Sequence, residues 1–182
     1  SLFDRKTRLF KHYTIKSARK KADNKVSVLT LMRNKHGQLL FGTYKDGMFV
    51  FDPATKNYRQ IMQGPGMNDL NSNSVFCIRQ DRSGNVWVGT NGNGLNVMDQ
   101  HFNVIARYTP NPQLPNDRLL PLNGYIRDIV EDRQGKIWVA THGGGIAVFT
   151  PPNGEFTVYN TRNSKIPNDK IPTLHLDKNG NI

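Results

Sequence analysis

The sequence predicts an all-β fold, and its composition, its many turn residues and an internal repeat are the observations that predict it. Its 182 residues suffice for one domain with a sizeable core. With 36% hydrophobic and 21% charged residues, and with 16 Gly and 10 Pro, the composition favours a turn-rich β protein over a disordered chain or a coiled coil. No apolar run approaches the roughly 20 residues of a membrane span, and the first residues lack the apolar segment of a signal peptide.

A short segment recurs along the chain. Residues 84–90, Gly-Asn-Val-Trp-Val-Gly-Thr, align with residues 37–43 and 135–141, and a fourth copy begins at residues 180–182. The copies lie about 45 to 50 residues apart, a spacing typical of blade-like repeats. Insertions fall between the copies and leave each copy's core unchanged, so the intervening segments are predicted to be loops.

The second copy divides into four short strands. Residues 74–78 are apolar and predict the first strand, and residues 81–84 predict a tight turn, because Asp bonds to its own backbone and Gly accepts positive φ. The second strand carries Trp87, and residues 94–99 and 104–108 predict the third and fourth strands. Four antiparallel strands at this period are typical of a β-propeller blade.

Three complete blades and two partial blades are predicted, all in one propeller domain. The complete blades cover residues 26–61, 74–109 and 125–160, residues 1–13 are the tail of a preceding blade, and residues 171–182 are the start of a following one. A propeller normally has four to eight blades, so we expect an arc of a larger ring. Closure of the two partial blades into a fourth blade is a poorer alternative, because the core of a second strand is missing.

The net charge of +11 is concentrated near the start of the chain. Residues 16–21, Lys-Ser-Ala-Arg-Lys-Lys, would attract an anionic polymer such as nucleic acid, an acidic glycan or a membrane surface. A charge run without interleaved aromatic residues is more typical of a solvated loop, so no nucleic-acid partner is predicted. The single cysteine, Cys77, excludes an internal disulfide framework and a cysteine metal cluster.

The repeat resembles a known family at the residues just described. The pattern Asp-x-x-Gly-Asn-Val-Trp-Val-Gly-Thr of residues 81–90, followed by a Gly-Leu-x-Val third strand and a closing tyrosine, is similar to the two-component regulator propeller repeat. Leu40, in place of tryptophan, and Ala140, in place of glycine, depart from the pattern in single copies. No kinase or receiver motif lies in the chain.

The resemblance implies a ligand-sensing part of a transmembrane hybrid two-component sensor. In that family such repeats build periplasmic regions, commonly two tandem propellers followed by an immunoglobulin-like domain, a membrane helix, a histidine kinase, a receiver and a DNA-binding domain. It therefore implies a periplasmic location in an inner-membrane protein, an oligosaccharide or other small ligand, further blades as neighbours and a homodimeric parent. The segment itself would not be an enzyme, because the kinase that begins the phosphorelay lies outside it.

The loops between second and third strands are predicted to carry the binding groups. In an antiparallel meander these loops and the links between blades lie at one end, opposite the Asp-x-x-Gly turns, and loops on a rigid scaffold commonly bind ligands. The candidate ligand-binding residues are Tyr44, Lys45, Asn91, Asn93, Arg118, Tyr125 and His142. We expect Lys45, Arg118 and His142 near one ligand. The alternative for the asparagines is that they only satisfy tight turns.

No catalytic, metal or cofactor site is predicted. His142 is the only histidine in a predicted loop at this end, without a convergent partner, so a turn residue is favoured over a catalytic base. Each Asp-x-x-Gly turn supplies one carboxylate, which is too few for calcium. Trp87 and Trp138 are predicted to pack between blades rather than to stack on sugars.

Two alternative functions stay open. One is a propeller lyase similar to the streptogramin lyases, whose blades also carry Asp-x-x-Gly-Asn-x-Trp turns; two convergent histidines would favour it. The other is a protein-interaction scaffold, which exposed apolar patches would favour.

Overall fold

The computed structural model describes residues 2–19, 26–113, 117–151 and 154–182. Within these ranges fifteen strands are the regular elements, which confirms the predicted all-β class. The described residues include no helix with the length and apolar character needed to cross a membrane.

The strands form one two-stranded sheet and three larger sheets, which we call the first, second and third blades. The two-stranded sheet joins β1 (Leu2–Asp4) and β2 (Leu9–Lys11). The first blade contains β3 (Val28–Arg33), β4 (Leu39–Thr43), β5 (Met48–Phe51) and β6 (Tyr58–Ile61). The second contains β7 (Val75–Gln80), β8 (Val86–Thr90), β9 (Leu95–Met98), β10 (Val104–Thr109) and β11 (Asp117–Leu119). The third contains β12 (Ile126–Glu131), β13 (Ile137–Thr141), β14 (Ile146–Thr150) and β15 (Glu155–Tyr159).

The four repeat strands of each blade are an antiparallel meander, and the blades pack side by side. In the second blade Cys77 lies opposite Gly89, and Trp87 lies opposite Val97. Strand β7 packs against both β3 and β12, so the first strand of each blade borders its neighbours. We call one end of the blades the turn end; it carries the turns of residues 34–37, 81–84 and 132–135. The opposite end, which carries the loops between second and third strands, is the loop end.

The link of residues 110–124 differs from the loop that the sequence predicts. Its residues Asp117–Leu119 form β11, which pairs in parallel with β10 and places Arg118 opposite Tyr108. Leu120 is 1% exposed, and its amide donates to Thr109 O at 2.9 Å. The apolar end of the link is therefore buried against the blade, and this anchoring holds the added strand at the outer edge of β10.

Residues 171–182, predicted to be the start of a following blade, form no strand in the structure. The turn predicted at residues 177–180 does form. Asp177 N donates to Asn181 O at 2.9 Å, and Gly180 N donates to Asp177 O at 3.1 Å. The segment bonds to the third blade: Leu174 N and Thr173 Oγ1 donate to the Asp128 carboxylate at 3.0 and 2.8 Å. No described strand pairs with this segment, so it forms no ladder of backbone hydrogen bonds.

The core lies between adjacent blades. Trp87 is 4% exposed and stacks parallel to Tyr108, with 6.3 Å between ring centroids, while Phe149 of the third blade lies 5.3 Å away. Trp138 is only half-buried and stacks on Tyr159 at 6.3 Å. Trp87 thus occupies the inter-blade position that the sequence predicts, and burial of such large rings contributes a major share of the packing energy.

One sheet face of the first blade is exposed and apolar. Val28 and Leu31 on β3 are 54% and 55% exposed, whereas the equivalent Val75 and Ile78 on β7 are fully buried against the first blade. The exposed face is therefore equivalent to the face by which each later blade packs on its predecessor.

Three of these turns have a cationic residue at the second position, and its side chain donates hydrogen bonds to the corresponding turn that follows. Lys35 Nζ donates to Asp81 O and Arg82 O at 3.1 and 2.6 Å. Arg82 in turn donates to Arg133 O at 3.0 Å and to Asp132 O. Arg133 repeats the contact on Lys178 O. Hydrogen bonds from charged side chains to backbone carbonyls therefore connect successive blades at the turn end.

Candidate ligand-binding site

A buried threonine closes each loop at the loop end. The hydroxyls of Thr43, Thr90 and Thr141 donate to the carbonyls of Gly47, Gly94 and Gly145 at 2.7, 2.8 and 2.9 Å. All three threonines are fully buried. The threonine of each Gly-Thr or Ala-Thr pair thus fixes the loop backbone, which positions the exposed residues between it and the glycine.

Hydrogen bonds to the link that follows each blade, and to the start of the same blade, fix these loops from the other side. The amides of Gly47, Gly94 and Gly145 donate to Asn73 O, Gly124 O and Asp169 O at 2.7, 3.0 and 2.9 Å. The first loop residues, which are Tyr44, Asn91 and His142, donate their amides to Ser27 O, Ser74 O and Tyr125 O at 2.9, 3.0 and 2.9 Å. Three predicted site residues therefore occupy equivalent, rigidly held positions.

The second and third blades form a polar and aromatic cluster at this end. Arg127 Nη1 donates to Asn91 Oδ1 at 3.3 Å, and the Arg127 guanidinium lies 4.5 Å above the centre of the Phe76 ring. Asn91 and Tyr125 form an antiparallel β-bridge, and the Tyr125 ring lies against Gly92. Tyr125 is 44% exposed, so its ring is available to a ligand. We call Asn91, Tyr125, Arg127 and His142 the loop-end cluster.

His142 joins this cluster through the backbone. Its amide donates to Tyr125 O at 2.9 Å, and its carbonyl accepts Asn123 Nδ2 at 2.9 Å. The His142 side chain is exposed. The structure thus brings together three of the predicted residues, Asn91, Tyr125 and His142, and adds Arg127, which is not among the predicted residues.

Two predicted residues lie on the first blade's own loop. Lys45 Nζ lies 4.9 Å from the centre of the Tyr44 ring, and both residues are exposed. Lys45 has φ 69°, and the equivalent positions in the next two blades are Gly92 and Gly143, with φ 98° and 99°. A lysine in this left-handed conformation is unusual and costs conformational energy, a feature found often at functional loops.

The remaining two predicted residues have other surroundings. Asn93 Nδ2 donates to Asn71 O at 2.8 Å and Asn71 Nδ2 donates to Asn93 O, so the side chain of Asn93 holds the link before the blade. Arg118 lies on β11, the outermost strand, with Cζ 6.0 Å from the Tyr108 ring. Burial raises the pKa of the Tyr108 phenol, and Arg118 opposes this rise.

The basic stretch of residues 16–21 is described only up to Arg19. Lys16 N donates to the Tyr58 hydroxyl at 3.1 Å, and Ala18 N donates to Gln60 Oε1 at 2.7 Å. Ser17 Oγ donates to Asp46 Oδ1 at 2.9 Å. The described part of the stretch therefore runs along the first blade rather than away from it, and Lys20 and Lys21 lie outside the described residues.

The turn carboxylates have a structural task. Asp81 Oδ1 accepts Asn85 N at 2.8 Å, and its Oδ2 accepts Trp87 Nε1 at 2.8 Å. Asp132 repeats both bonds on Lys136 N and Trp138 Nε1. Within the described ranges no three His, Cys, Asp or Glu residues are grouped as metal ligands would be.

Comparison with known sequences finds a family match in the second and third blades. The profile of the two component regulator propeller family matches residues 69–92 and 120–143. These two segments match the two-component regulator propeller repeat. Asn91 lies in the first matched repeat, and Tyr125, Arg127 and His142 lie in the second, so the whole loop-end cluster belongs to these propeller repeats.

Relatives of the propeller repeats include sensor proteins. Histidine kinase P4 of Formosa agariphila is 35% identical over 72 residues, which are 40% of this chain and 5% of that protein. The extracellular domain assigned to a hybrid two-component system of B. thetaiotaomicron superposes with a TM-score of 0.67 at 26% identity, over 85% of this chain and 19% of that one. The chain thus spans a small part of either relative.

An enzyme also shares the fold. An inactive variant of virginiamycin B lyase from Staphylococcus aureus superposes with a TM-score of 0.62 at 17% identity, over 85% of this chain and 47% of the lyase. At this identity the likeness concerns the propeller fold alone. The propeller repeats of this chain are closer in sequence to the sensor domain than to the lyase.

Proposed function

We propose that this propeller segment belongs to the extracytoplasmic, ligand-sensing region of a hybrid two-component sensor, and that its ligand is a glycan. The observation that carries the proposal is that the loop-end cluster falls inside the two matched propeller repeats. The sensor relatives support the role, since one is a histidine kinase and another is the extracellular domain of a two-component system.

The chemistry of the cluster suits a polyhydroxylated ligand. The exposed Tyr125 ring offers an apolar face to the C–H side of a sugar ring. The Asn91 amide and the His142 imidazole offer hydrogen bonds to hydroxyls, and the Arg127 guanidinium suits a carboxylate or sulfate substituent. Because Phe76 and Asn91 already hold Arg127, little side-chain freedom would be lost on binding.

The segment would act in signalling by binding alone. We propose that a ligand held by two adjacent blades fixes their relative position, and that the change reaches a kinase elsewhere in a homodimeric parent protein. Lys45, Tyr44, Asn93 and Arg118 remain candidates for contacts outside the cluster, and Lys45 is the strongest because of its left-handed backbone.

A glycan-binding screen followed by calorimetry tests the proposal. The chain is screened against neutral, uronate-containing and sulfated oligosaccharides, and the best ligand is titrated into Tyr125→Ala and Arg127→Met variants. We expect each variant to bind roughly tenfold more weakly, because a stacking or charged contact is lost. Arg162→Met is the matched control, since Arg162 is exposed in the link of residues 161–170. Equal affinity of all three variants would assign the ligand to another surface, and a screen without any binder would contradict glycan sensing.

A further inference from the structure

A cleft lies at the turn end, between the first and second blades. It has a volume of about 560 Å³, and its lining includes His36, Asp52, Tyr58, Arg59, Gln100 and His101. The turns of two blades meet here, so two histidines that are distant in the sequence line the same cleft. This volume is within the range of small-molecule sites, roughly 300 to 1,000 Å³.

Arg59 is the best-positioned cation of the cleft. Its Cζ lies 5.0 Å from the centre of the Phe102 ring, and its Nη2 donates to His101 O at 2.7 Å. Phe102 is 7% exposed and so forms a fixed platform. The guanidinium has five N–H donors, so several stay available after this bond. Arg59 makes no ion pair with another described residue.

Asp52 lines the cleft and Asp99 lies beside it in sequence, and each carboxylate accepts hydrogen bonds from the amides of its own turn. Asp52 Oδ1 accepts the amides of Ala54 and Thr55 at 2.8 and 3.5 Å. Asp99 accepts the amides of His101 and Asn103, both at 2.8 Å. Partial burial would raise the pKa of Asp99, but the bonds from Asn103 and His101 outweigh it and lower the pKa. Both carboxylates therefore serve the turns.

The equivalent cleft between the second and third blades lacks these groups. Ala106 lies at the position of Arg59, and Ser83 lies at the position of His36. Arg118, from β11, and Glu131 also line that cleft. An arginine on the fourth strand together with a histidine in the facing turn is thus particular to the cleft between the first and second blades and is not required by the blade repeat.

We propose that the cleft between the first and second blades binds the oxyanion group of a small polar ligand, with Arg59 as the main contact. A guanidinium binds carboxylate, sulfate or phosphate through two parallel N–H donors. His36, His101 and the amides of Gln38 and Gln100 line the same cleft and would donate further hydrogen bonds. This site lies at the opposite end of the blades from the loop-end cluster and does not depend on glycan sensing.

Nuclear magnetic resonance of the histidine side chains tests the site directly. The full chain is titrated with sodium sulfate, sodium phosphate and sodium acetate, with sodium chloride at matched ionic strength as reference, and the imidazole signals are assigned with His36→Gln and His101→Gln variants. We expect saturable shifts of His36 and His101 and none of His175, which is exposed in the segment after the third blade and lies in neither candidate site. The anion that binds most tightly then distinguishes a tetrahedral group from a carboxylate.

Arg59 variants decide the assignment. Arg59→Met is expected to weaken anion binding roughly tenfold or more, and Arg59→Lys, which keeps the charge but loses the bidentate geometry, to have an intermediate effect. Arg162→Met loses the same charge and is expected to bind the anion with the affinity of the unsubstituted chain. Unchanged affinity in Arg59→Met, equal shifts of all histidines, or equal shifts with chloride would overturn the proposal. Signal dispersion in each spectrum verifies that the variant is folded.

Discussion

The Asp81 carboxylate accepts a hydrogen bond from the Trp87 indole N–H at 2.8 Å, across the turn that joins β7 to β8. Asp132 and Trp138 make the same bond at 2.8 Å one blade later. In the first blade Leu40 replaces the tryptophan, and Asn34 replaces the aspartate and pairs with Gln38 instead. The aspartate therefore accompanies the tryptophan within this chain, which assigns it an acceptor role besides its role in the turn.

Loss of this acceptor is expected to lower the stability of the second blade. An Asp81→Asn change cannot supply both acceptor oxygens, so either the turn amide or the indole N–H loses its bond. We expect the free energy of unfolding to fall by about 1 to 3 kcal/mol, measured by urea denaturation. In a Trp87→Leu background, which reproduces the first blade, the same change is expected to cost less. Equal costs in the two backgrounds would contradict the coupling.

The inter-blade contacts of the turn end give a second prediction. Arg82→Met removes the bonds to Asp132 O and Arg133 O and is expected to lower the free energy of unfolding by about 1 kcal/mol. Arg82→Lys is expected to cost less, because Lys35 makes the equivalent contact one blade earlier. The ion pair with Glu131 at 3.2 Å adds little, since the Arg82 side chain is 59% exposed. A loss that disappears in high salt would assign the effect to that ion pair instead.

The strands and the packing of tryptophan followed from local sequence, because each repeat carries its own turn residues and alternating apolar positions. Strand β11 could not be predicted in this way. It pairs in parallel with a strand of the same blade. The similar segment Asp-Lys-Ile of residues 169–171, which also follows Pro-Asn, forms no strand, so the local sequence does not decide the outcome. The position of β11 depends on the burial of Leu120, which is a tertiary effect.

The candidate site was predicted only in part, because the repeat pattern reveals some of its residues and tertiary packing places the others. Asn91 and His142 follow from the repeat, since they hold equivalent loop positions. Arg127 lies within a predicted apolar strand, and the signal that would have revealed it is its alignment with Leu29 and Phe76, where a cation is out of place. The meeting of His36 and His101 depends on how two blades pack, and no local pattern encodes it.

The single cysteine is predicted to be unreactive in the folded chain. Burial, together with the nearby Asp128 carboxylate, raises the pKa of the Cys77 thiol from 9.0 to about 12. Because the thiolate is the reactive form, we expect native protein to label slowly with a thiol reagent at pH 8 to 10, and urea-unfolded protein to label at once. Fast labelling of native protein would contradict the buried environment.

The same shift makes stability depend on pH. Between pH 9 and about 12 the unfolded thiol loses its proton while the folded thiol keeps it, so the free energy of unfolding falls as the pH rises through this window. Cys77→Ala is expected to flatten that fall, measured by urea denaturation at a series of pH values. An unchanged slope in the variant would assign the alkaline loss of stability to other groups.

Two glycines with similar backbone angles separate conformational strain from steric overlap. Gly94 has φ 86°, and a Cβ there would lie 2.0 Å from Tyr108 O. Gly84 has φ 96°, with no atom within 4 Å of a Cβ. Gly84→Ala is therefore expected to cost about 1 to 2 kcal/mol from the left-handed conformation alone. Gly94→Ala is expected to cost roughly 4 kcal/mol or more, because the carbonyl belongs to a paired strand and cannot move away. Equal costs in urea denaturation would mean that β9 and β10 separate readily at the loop end, and the rigid scaffold proposed for the loop-end cluster would lose its support.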